Sequence, residues 1–178
     1  MLFRSIEKKL KYDKHILDAE LFDDLKGNLI VNVELRRPIA RIVQNDAPDA
    51  YIAEDGVVMP VSEKYTSRVV LISGAVKHLL ESEDLNKSEE GKQLMEMREF
   101  INKDKFWKAQ VAQLDISRDG KIVIFPQVTG QRVEFGKAEN IEVKFKKLMI
   151  FYKEILPTRG WTRYERVNLE YEGQVVAE

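Results

Sequence analysis

Few side chains in this sequence could support catalysis or metal binding. The histidines are His15 and His78, and no His-x-x-x-His or Cys-x-x-Cys spacing accompanies them, so no zinc site is predicted. The chain has no cysteine, which excludes disulfides and thiol nucleophiles. Neither a Gly-x-Gly-x-x-Gly nor a Gly-x-x-x-x-Gly-Lys-Ser/Thr motif is present. We therefore expect neither a bound metal nor a cofactor.

Carboxylates and tryptophans are the remaining candidates for a chemical role. Glu34, Glu54 and Asp55 lie near one another in the sequence, and two such groups could act as general acid and base. Acidic residues in turns and on strand faces are usually solvated, so this grouping is weak support for catalysis. Trp107 and Trp161 are expected to anchor a core rather than to stack on a ligand. The sequence predicts a protein that is not an enzyme.

Composition limits the partners of the chain. Hydrophobic residues make up 44% of the 178 residues, which is enough for a substantial core. The 29 basic and 30 acidic side chains nearly cancel, so no nucleic-acid partner is predicted. No apolar run reaches the roughly 20 residues that span a bilayer, and the start does not have the form of a signal peptide. Any membrane anchor is expected in a segment that this chain lacks.

The stretch Asn28–Val43 organises the predicted fold. Its first half alternates between polar and apolar residues, which is typical of a half-buried strand. Pro38 cannot donate a main-chain hydrogen bond and so marks a strand end, a bulge or an edge. Because the alternation resumes after Pro38, we expect one long strand that leaves one sheet and enters another. Arg37 and Pro38 would then form a hinge between two domains. The apolar positions before the proline are Leu29, Val31, Val33 and Leu35.

The residues before this hinge predict a small module. A short helix over Ser5–Leu10 precedes a strand over Ile16–Phe22, and Gly27-Asn28 is a turn signal that would pair this strand with the next one. One helix and one hairpin make a poor independent core. We therefore predict a partial module over residues 1–42.

The remaining residues predict a larger domain over 43–178. Asp55-Gly56 indicates a tight hairpin within Tyr51–Met59, and Ser88 is a good cap for a helix that runs toward Asp104. The other predicted helix is 140–156, capped by Asn140, and the segment 81–84 is predicted to be a loop. Predicted strands cover 68–72, 110–116, 121–125, 131–135, 163–170 and 174–177. The fold class is α+β: a helix plus a β-hairpin, then a mostly antiparallel β domain with flanking helices and a C-terminal edge strand.

The order of these motifs resembles a known family, the extracytoplasmic part of the bacterial cell-division protein FtsQ, called DivIB in Gram-positive bacteria. Gly27–Ile42 is similar to the strand that leaves the small POTRA domain of the family, and Tyr51–Pro60 is similar to the hairpin that opens its β domain. Phe106–Gly136 resembles the helix end and meander, and Lys144–Val176 resembles the last helix and the terminal strand. The likeness covers nearly the whole chain in the right order.

The resemblance implies a scaffold anchored in the inner membrane by a single span, with this portion in the periplasm. Its expected partners are division proteins of the FtsB and FtsL type, which would add a strand to the C-terminal edge. Weak self-association of the chain is also possible under this resemblance. Asn168 and Glu170 replace the usual Asp and Arg of the terminal motif of the family. A salt bridge that the usual Asp and Arg make in other members is therefore not assured in this chain. Tyr171 matches the terminal tyrosine of the family and is the leading candidate, although it could instead pack within its own sheet. The candidate partner-binding residues are Val167, Leu169, Tyr171, Gln174, Val175 and Val176.

Two other functions remain open from the sequence. A POTRA-containing assembly factor of the outer membrane would also use a sheet edge, but would carry repeated modules or a membrane barrel. A regulatory domain of a cell-wall enzyme would show a deep cleft that holds carboxylates with shifted pKa values. An open sheet edge would favour the scaffold.

Overall fold

The computed structural model describes residues 2–62 and 64–178, and in that part of the chain the strands form two separate sheets. The α+β fold class is confirmed. The strands are β1 (Ile16–Asp23), β2 (Leu29–Leu35), β3 (Pro38–Ile42), β4 (Ala50–Ala53), β5 (Val58–Pro60), β6 (Val70–Gly74), β7 (Val111–Ile116), β8 (Ile122–Pro126), β9 (Arg132–Gly136), β10 (Arg166–Asn168) and β11 (Val176–Ala177). The helices are α1 (Leu2–Leu10), α2 (Lys77–Glu81), α3 (Glu89–Lys103), α4 (Lys105–Gln110), α5 (Ile141–Ile150) and α6 (Leu156–Arg159). A 3-10 turn covers Leu85–Lys87 and a π-helical turn covers Phe151–Ile155.

The N-terminal module consists of α1 and the β1–β2 hairpin. The strands are antiparallel, with Leu21 opposite Val31, and α1 packs against β1. Ala19 and Leu21 are the buried residues of this module among those described, and every residue of β2 is exposed. The predicted helix and hairpin are therefore present, and the module buries little apolar surface of its own.

The chain passes from the N-terminal module into the larger sheet through Arg36 and Arg37. The long strand that the sequence predicts is interrupted here, because β2 ends at Leu35 and β3 begins at Pro38 in a different sheet. The Arg36 guanidinium donates to Asp55 Oδ2 at 2.7 Å and to the Lys14 carbonyl at 3.1 Å, which ties the hairpin to the β4–β5 turn. Polar contacts thus make up much of the described junction.

The larger sheet has nine strands in the order β11-β10-β9-β8-β7-β6-β3-β4-β5. Most neighbours are antiparallel, including the predicted β7–β8–β9 meander and the β4–β5 hairpin. The pairs β3–β6, β6–β7 and β9–β10 are parallel. A parallel pair needs a crossover, and helices α2 to α4 and α5 to α6 supply two of them.

The core lies between the helices and one face of this sheet. Leu94, Met97 and Ile101 of α3 are buried at helical spacing and pack in one cluster with strand residues such as Leu114 and Val133. The Ser88 hydroxyl caps α3 by accepting from the Gly91 N–H at 3.0 Å, as predicted. On the other face, alternate residues such as Gln113 and Asp115 remain partly exposed. Helical crossovers thus cover a single face of the sheet.

Several predicted element boundaries are wrong. Helix α2 ends at Glu81, so the loop predicted over 81–84 begins one residue late, and α4 lies between the predicted α3 helix and β7. The predicted strand over 163–170 is reduced to Arg166–Asn168. Helix 140–156 is present but changes to a π-helical turn at Phe151. Asn140 precedes it in a left-handed conformation, with φ of 52°, and makes no side-chain cap. Each of these errors lies at a position where tertiary packing outweighs the local pattern of the sequence.

The two tryptophans differ in burial. Trp107 is buried, packs on Phe145 with ring centroids 4.8 Å apart and anchors the core as predicted. Trp161 is 51% exposed, so the prediction that it anchors the core is wrong. It lies in the turn that follows α6 and Gly160, which has a φ of 102°. The centroid of its ring lies 6.4 Å from that of the Tyr152 ring.

Candidate interaction edge

Strand β11 forms one end of the nine-stranded sheet. It pairs antiparallel with β10, with Val167 opposite Ala177 and Asn168 opposite Val176. Glu178 extends the pairing, because its N–H donates to the Arg166 carbonyl at 3.0 Å and its carbonyl accepts from the Arg166 N–H at 3.1 Å. Hydrogen-bonded and non-bonded pairs alternate in an antiparallel ladder, so the main-chain groups of Val175 and Ala177 point away from β10. These groups make up the open edge.

An apolar groove runs beside this edge on the helix side of the sheet. It has a volume of about 440 Å³ and lies between the α5 and π-helical segment and β11. Two aliphatic side chains that line it are well exposed, Ile150 at 53% and Ile155 at 39%. Val175 and Ala177 border the groove and pack against the core. A strand added to β11 would place every second side chain over this groove.

The loop between β10 and β11 is held in place by Lys147 of α5. The Nζ atom donates to the carbonyls of Leu169 and Tyr171 at 2.7 Å each and to that of Gln174 at 3.3 Å. Backbone carbonyls that bend around one ammonium cannot also extend into a strand. Lys147 therefore fixes where β10 ends and where β11 begins.

A polar cluster on the opposite face joins β9 to β10. Glu134 accepts from Arg166 Nε at 2.7 Å, from Arg166 Nη2 at 3.0 Å and from Asn168 Nδ2 at 2.6 Å. The hydrogen bonds and charge of Arg166, together with the Asn168 amide, lower the pKa of the Glu134 carboxyl. Asn168 thus serves as a donor to Glu134. Glu170 forms an ion pair with Lys121 at 3.0 Å, so both departures from the family motif have partners.

The structure separates the predicted partner-binding residues into two groups. Val167 and Leu169 are fully buried, and β10 is hydrogen-bonded to strands on both sides. Tyr171 is 52% exposed and lies in the loop rather than in a strand. Gln174 is exposed, whereas Val175 and Val176 are partly buried at the open edge. The second group is accessible to a partner and the first supports it from within.

Sequence reasoning missed the residues that complete this surface. Lys147, Ile150 and Ile155 line the groove, and Ala177 and Glu178 belong to the edge ladder. The sequence holds one signal for the groove, since Ile150 lies off the helical stripe that Phe145, Leu148 and Tyr152 form. No short pattern marks Ala177 and Glu178, because two or three residues are too few to show an alternation.

The carboxylates that were weighed for catalysis lie elsewhere and have ordinary surroundings. Glu34, Glu54 and Asp55 come together at the junction with the N-terminal module, where Arg36 neutralises Asp55. A cleft of about 210 Å³ is lined by acidic residues, among them Glu90, which accepts from His78 Nε2 at 2.9 Å. Asp119 in the same cleft has a lowered pKa because the Ser117 hydroxyl donates to it. A lowered pKa is the opposite of what a general acid needs.

Metal-binding clusters and membrane-spanning helices are both absent from residues 2–62 and 64–178. No group of three or more His, Asp or Glu side chains in that part of the chain is placed to hold a metal ion. No helix within residues 2–62 and 64–178 is long and apolar enough to cross a bilayer.

Most of the chain matches a family model. The family model described as "FtsQ/DivIB, C-terminal related" matches residues 37–178, which is well over half of the chain and includes the open edge and the groove. No curated protein matches the sequence.

Proposed function

The chain belongs to the FtsQ/DivIB, C-terminal related family of non-enzymatic cell-division proteins, and we propose that it is a scaffold that binds FtsB- or FtsL-type bitopic proteins by strand addition at β11. Such proteins are membrane-anchored, and we place this portion in the periplasm at the inner membrane. The open outer edge of β11 beside an apolar groove is the observation that carries this proposal.

Strand addition uses main-chain hydrogen bonds for affinity and alternate side-chain pockets for specificity. The main-chain groups of Val175 and Ala177 would pair with the incoming strand. The exposed side chains of Ile150 and Ile155 would cover its apolar residues. Edges of this kind are usually blocked in proteins that do not use them, by proline, charge or a covering segment.

Tyr171 extends the same surface toward the loop. Its ring is half exposed although it is held near the edge through Lys147, which binds its carbonyl at 2.7 Å. A tyrosine with an accessible ring suits a protein interface, because the ring can be buried while the hydroxyl bonds at the rim. This exposure argues against the alternative that Tyr171 packs within its own sheet.

We expect Tyr171→Glu to abolish binding of an FtsB-type periplasmic segment and to leave the fold unchanged. The charge would have to be buried in the interface, whereas in the free protein it stays in water. Titration calorimetry with the purified partner segment measures the binding, and circular dichroism measures the fold. Tyr12→Glu is the matched control, since Tyr12 is 74% exposed and lies in the N-terminal module. Wild-type affinity of Tyr171→Glu would contradict the assignment of the edge.

We also propose that Arg37 and Pro38 act as a hinge between the N-terminal module and the larger sheet. The described contacts across this junction are largely polar, among them the Lys14–Glu83 ion pair at 2.9 Å, and such contacts exchange readily with water. We expect solution scattering to require more than one relative orientation of the two parts. A profile that a single orientation fits at both low and high salt would count against the hinge.

A further inference from the structure

A further cleft lies at the N-terminal ends of the three adjacent parallel strands β3, β6 and β7. Strands β8, β9 and β10 separate these three strands from β11. It has a volume of about 740 Å³, within the range of roughly 300–1,000 Å³ that small-molecule sites occupy. The extended segment 66–69 borders it on one side, and Arg98 of α3 and Lys108 of α4 border it on another. Nothing in the scaffold function described above uses this cleft.

The charges that line this cleft all have the same sign. Its cationic residues are Arg41, Arg68, Arg98 and Lys108, and no aspartate or glutamate is among its described lining residues. The whole chain carries a formal net charge of −1, so such a concentration of positive charge is local and not a property of the surface at large. Clefts lined by one sign of charge attract ligands of the opposite sign.

The cations differ in how far the protein already neutralises them. Arg41 donates to Asp49 Oδ2 from Nε at 2.9 Å and from Nη2 at 2.6 Å. The side chains of Arg68, Arg98 and Lys108 make no hydrogen bond or ion pair with any residue that the structure describes. Burial lowers the pKa of the Arg98 guanidinium, and the charges of Glu54 and Glu99 oppose that effect only at a distance. A half-buried guanidinium without a bonded anion loses hydration that a ligand could replace.

The remaining lining of the cleft suits a group larger than a simple ion. Ile39, Val70 and Val111 supply apolar surface, and Thr66, Asn102 and Gln127 supply neutral polar groups. Guanidinium groups bind phosphate oxygens in a bidentate manner, and several cations favour a ligand with more than one negative charge. We propose that this cleft binds a phosphate- or diphosphate-bearing group, either of a soluble molecule or of an anionic lipid headgroup, through Arg98 and Arg68.

The test uses inorganic pyrophosphate as the soluble probe and phosphatidylglycerol vesicles as the lipid probe, with phosphatidylcholine vesicles as the blank. Titration calorimetry and NMR shifts at low ionic strength measure binding of pyrophosphate, and co-sedimentation measures binding of vesicles. Arg98→Gln and Arg68→Gln are compared with Arg118→Gln, which removes the same charge from an exposed turn away from the cleft. Circular dichroism establishes that each variant folds.

We expect Arg98→Gln to weaken binding of at least one probe by about tenfold or more, the loss that corresponds to one charge-assisted hydrogen bond, and Arg118→Gln to change it little. Loss of vesicle binding in Arg98→Gln would identify the lipid source, and loss of pyrophosphate binding alone would identify a soluble one. The proposal is overturned if neither probe binds the wild type, or if Arg98→Gln and Arg118→Gln weaken binding equally. Should Arg98→Gln fail to fold, Arg68→Gln decides by the same criteria, since Arg68 is exposed.

Discussion

The two ends of the nine-stranded sheet treat their outer main-chain groups in opposite ways. At β5, the Val58 N–H donates to the Glu83 carbonyl at 2.8 Å, and the Pro60 carbonyl lies 3.0 Å from His15 Nε2. Pro60 has no N–H to offer, and a bridge between Val57 and Asp84 extends the cover. At β11, the main-chain groups of Val175 and Ala177 point away from the sheet.

This difference supports the proposal that the β11 end of the sheet receives another chain. A protein that gained nothing from an open edge would be expected to close both, because an exposed edge promotes aggregation. Here β5 is covered by a connecting segment, by a histidine and by its own proline, whereas β11 has only its shortness as protection. The asymmetry supports the proposed scaffold function independently of Tyr171.

The largest effect is expected from a proline placed at the open edge. Ala177→Pro would remove an outward-pointing N–H, which the fold does not use, and would abolish binding of the partner segment with little change in melting temperature. Val176→Pro is the matched control. The N–H of Val176 faces β10, so loss of this N–H should destabilise the protein. Calorimetric titration and thermal unfolding distinguish the two. Equal affinity of Ala177→Pro and the wild type would contradict strand addition at this edge.

A smaller effect is expected from opening the closed end of the sheet. Leu85 is fully buried, and its N–H donates to the Gly56 carbonyl at 2.9 Å next to β5. Leu85→Ala should reduce the free energy of unfolding by about 2–5 kcal/mol and loosen the segment that covers β5. We expect increased self-association, measured by light scattering under native conditions. Leu94→Ala also removes a buried leucine but leaves β5 covered, so equal self-association in both variants would argue against edge protection.

The smallest effect concerns pH and the cluster that supports β10. The pKa of Glu134 is lowered in the folded state from a usual value of 4.5, so its interactions stabilise the fold above that value. The stabilisation is lost as the pH falls through the lowered pKa. Glu134→Gln should cost about 1 kcal/mol or less at neutral pH, and the difference from wild type should shrink in acid. Urea unfolding at several pH values measures this, with Glu172→Gln as the exposed control. A pH-independent difference would show that Glu134 acts by packing alone.

Elements with a strong local signal could be predicted from the sequence. Asp55-Gly56 produced the β4–β5 hairpin, where Gly56 has a φ of 88° and an added Cβ would lie 2.2 Å from the Asn86 side chain. Ser88 caps α3 as predicted, and the predicted last helix is a regular α-helix as far as Ile150. In each case a local feature, such as the positive φ of Gly56 or the Ser88 cap, lies within a few residues of the signal.

Features that depend on distant residues could not be predicted in this way. The parallel pairing of β10 with β9 joins Arg166 to Arg132, and no local pattern specifies it. Lys147 ends β10 through carbonyls more than twenty residues away, which is why the predicted strand over 163–170 was too long. Trp161 is exposed because the chain turns at Gly160 before it returns to the sheet. A C-terminal edge strand could therefore be predicted and is present, but the bounds of β11 and the groove beside it needed the structure.

The place of β11 in the order of the strands has a consequence for folding. β10 reaches β9 only once the helical crossover has formed, and β11 pairs with β10. The open edge is thus completed after the part of the sheet that supports it. A copy in which β10 has not yet docked would present no β11 to the proposed partner.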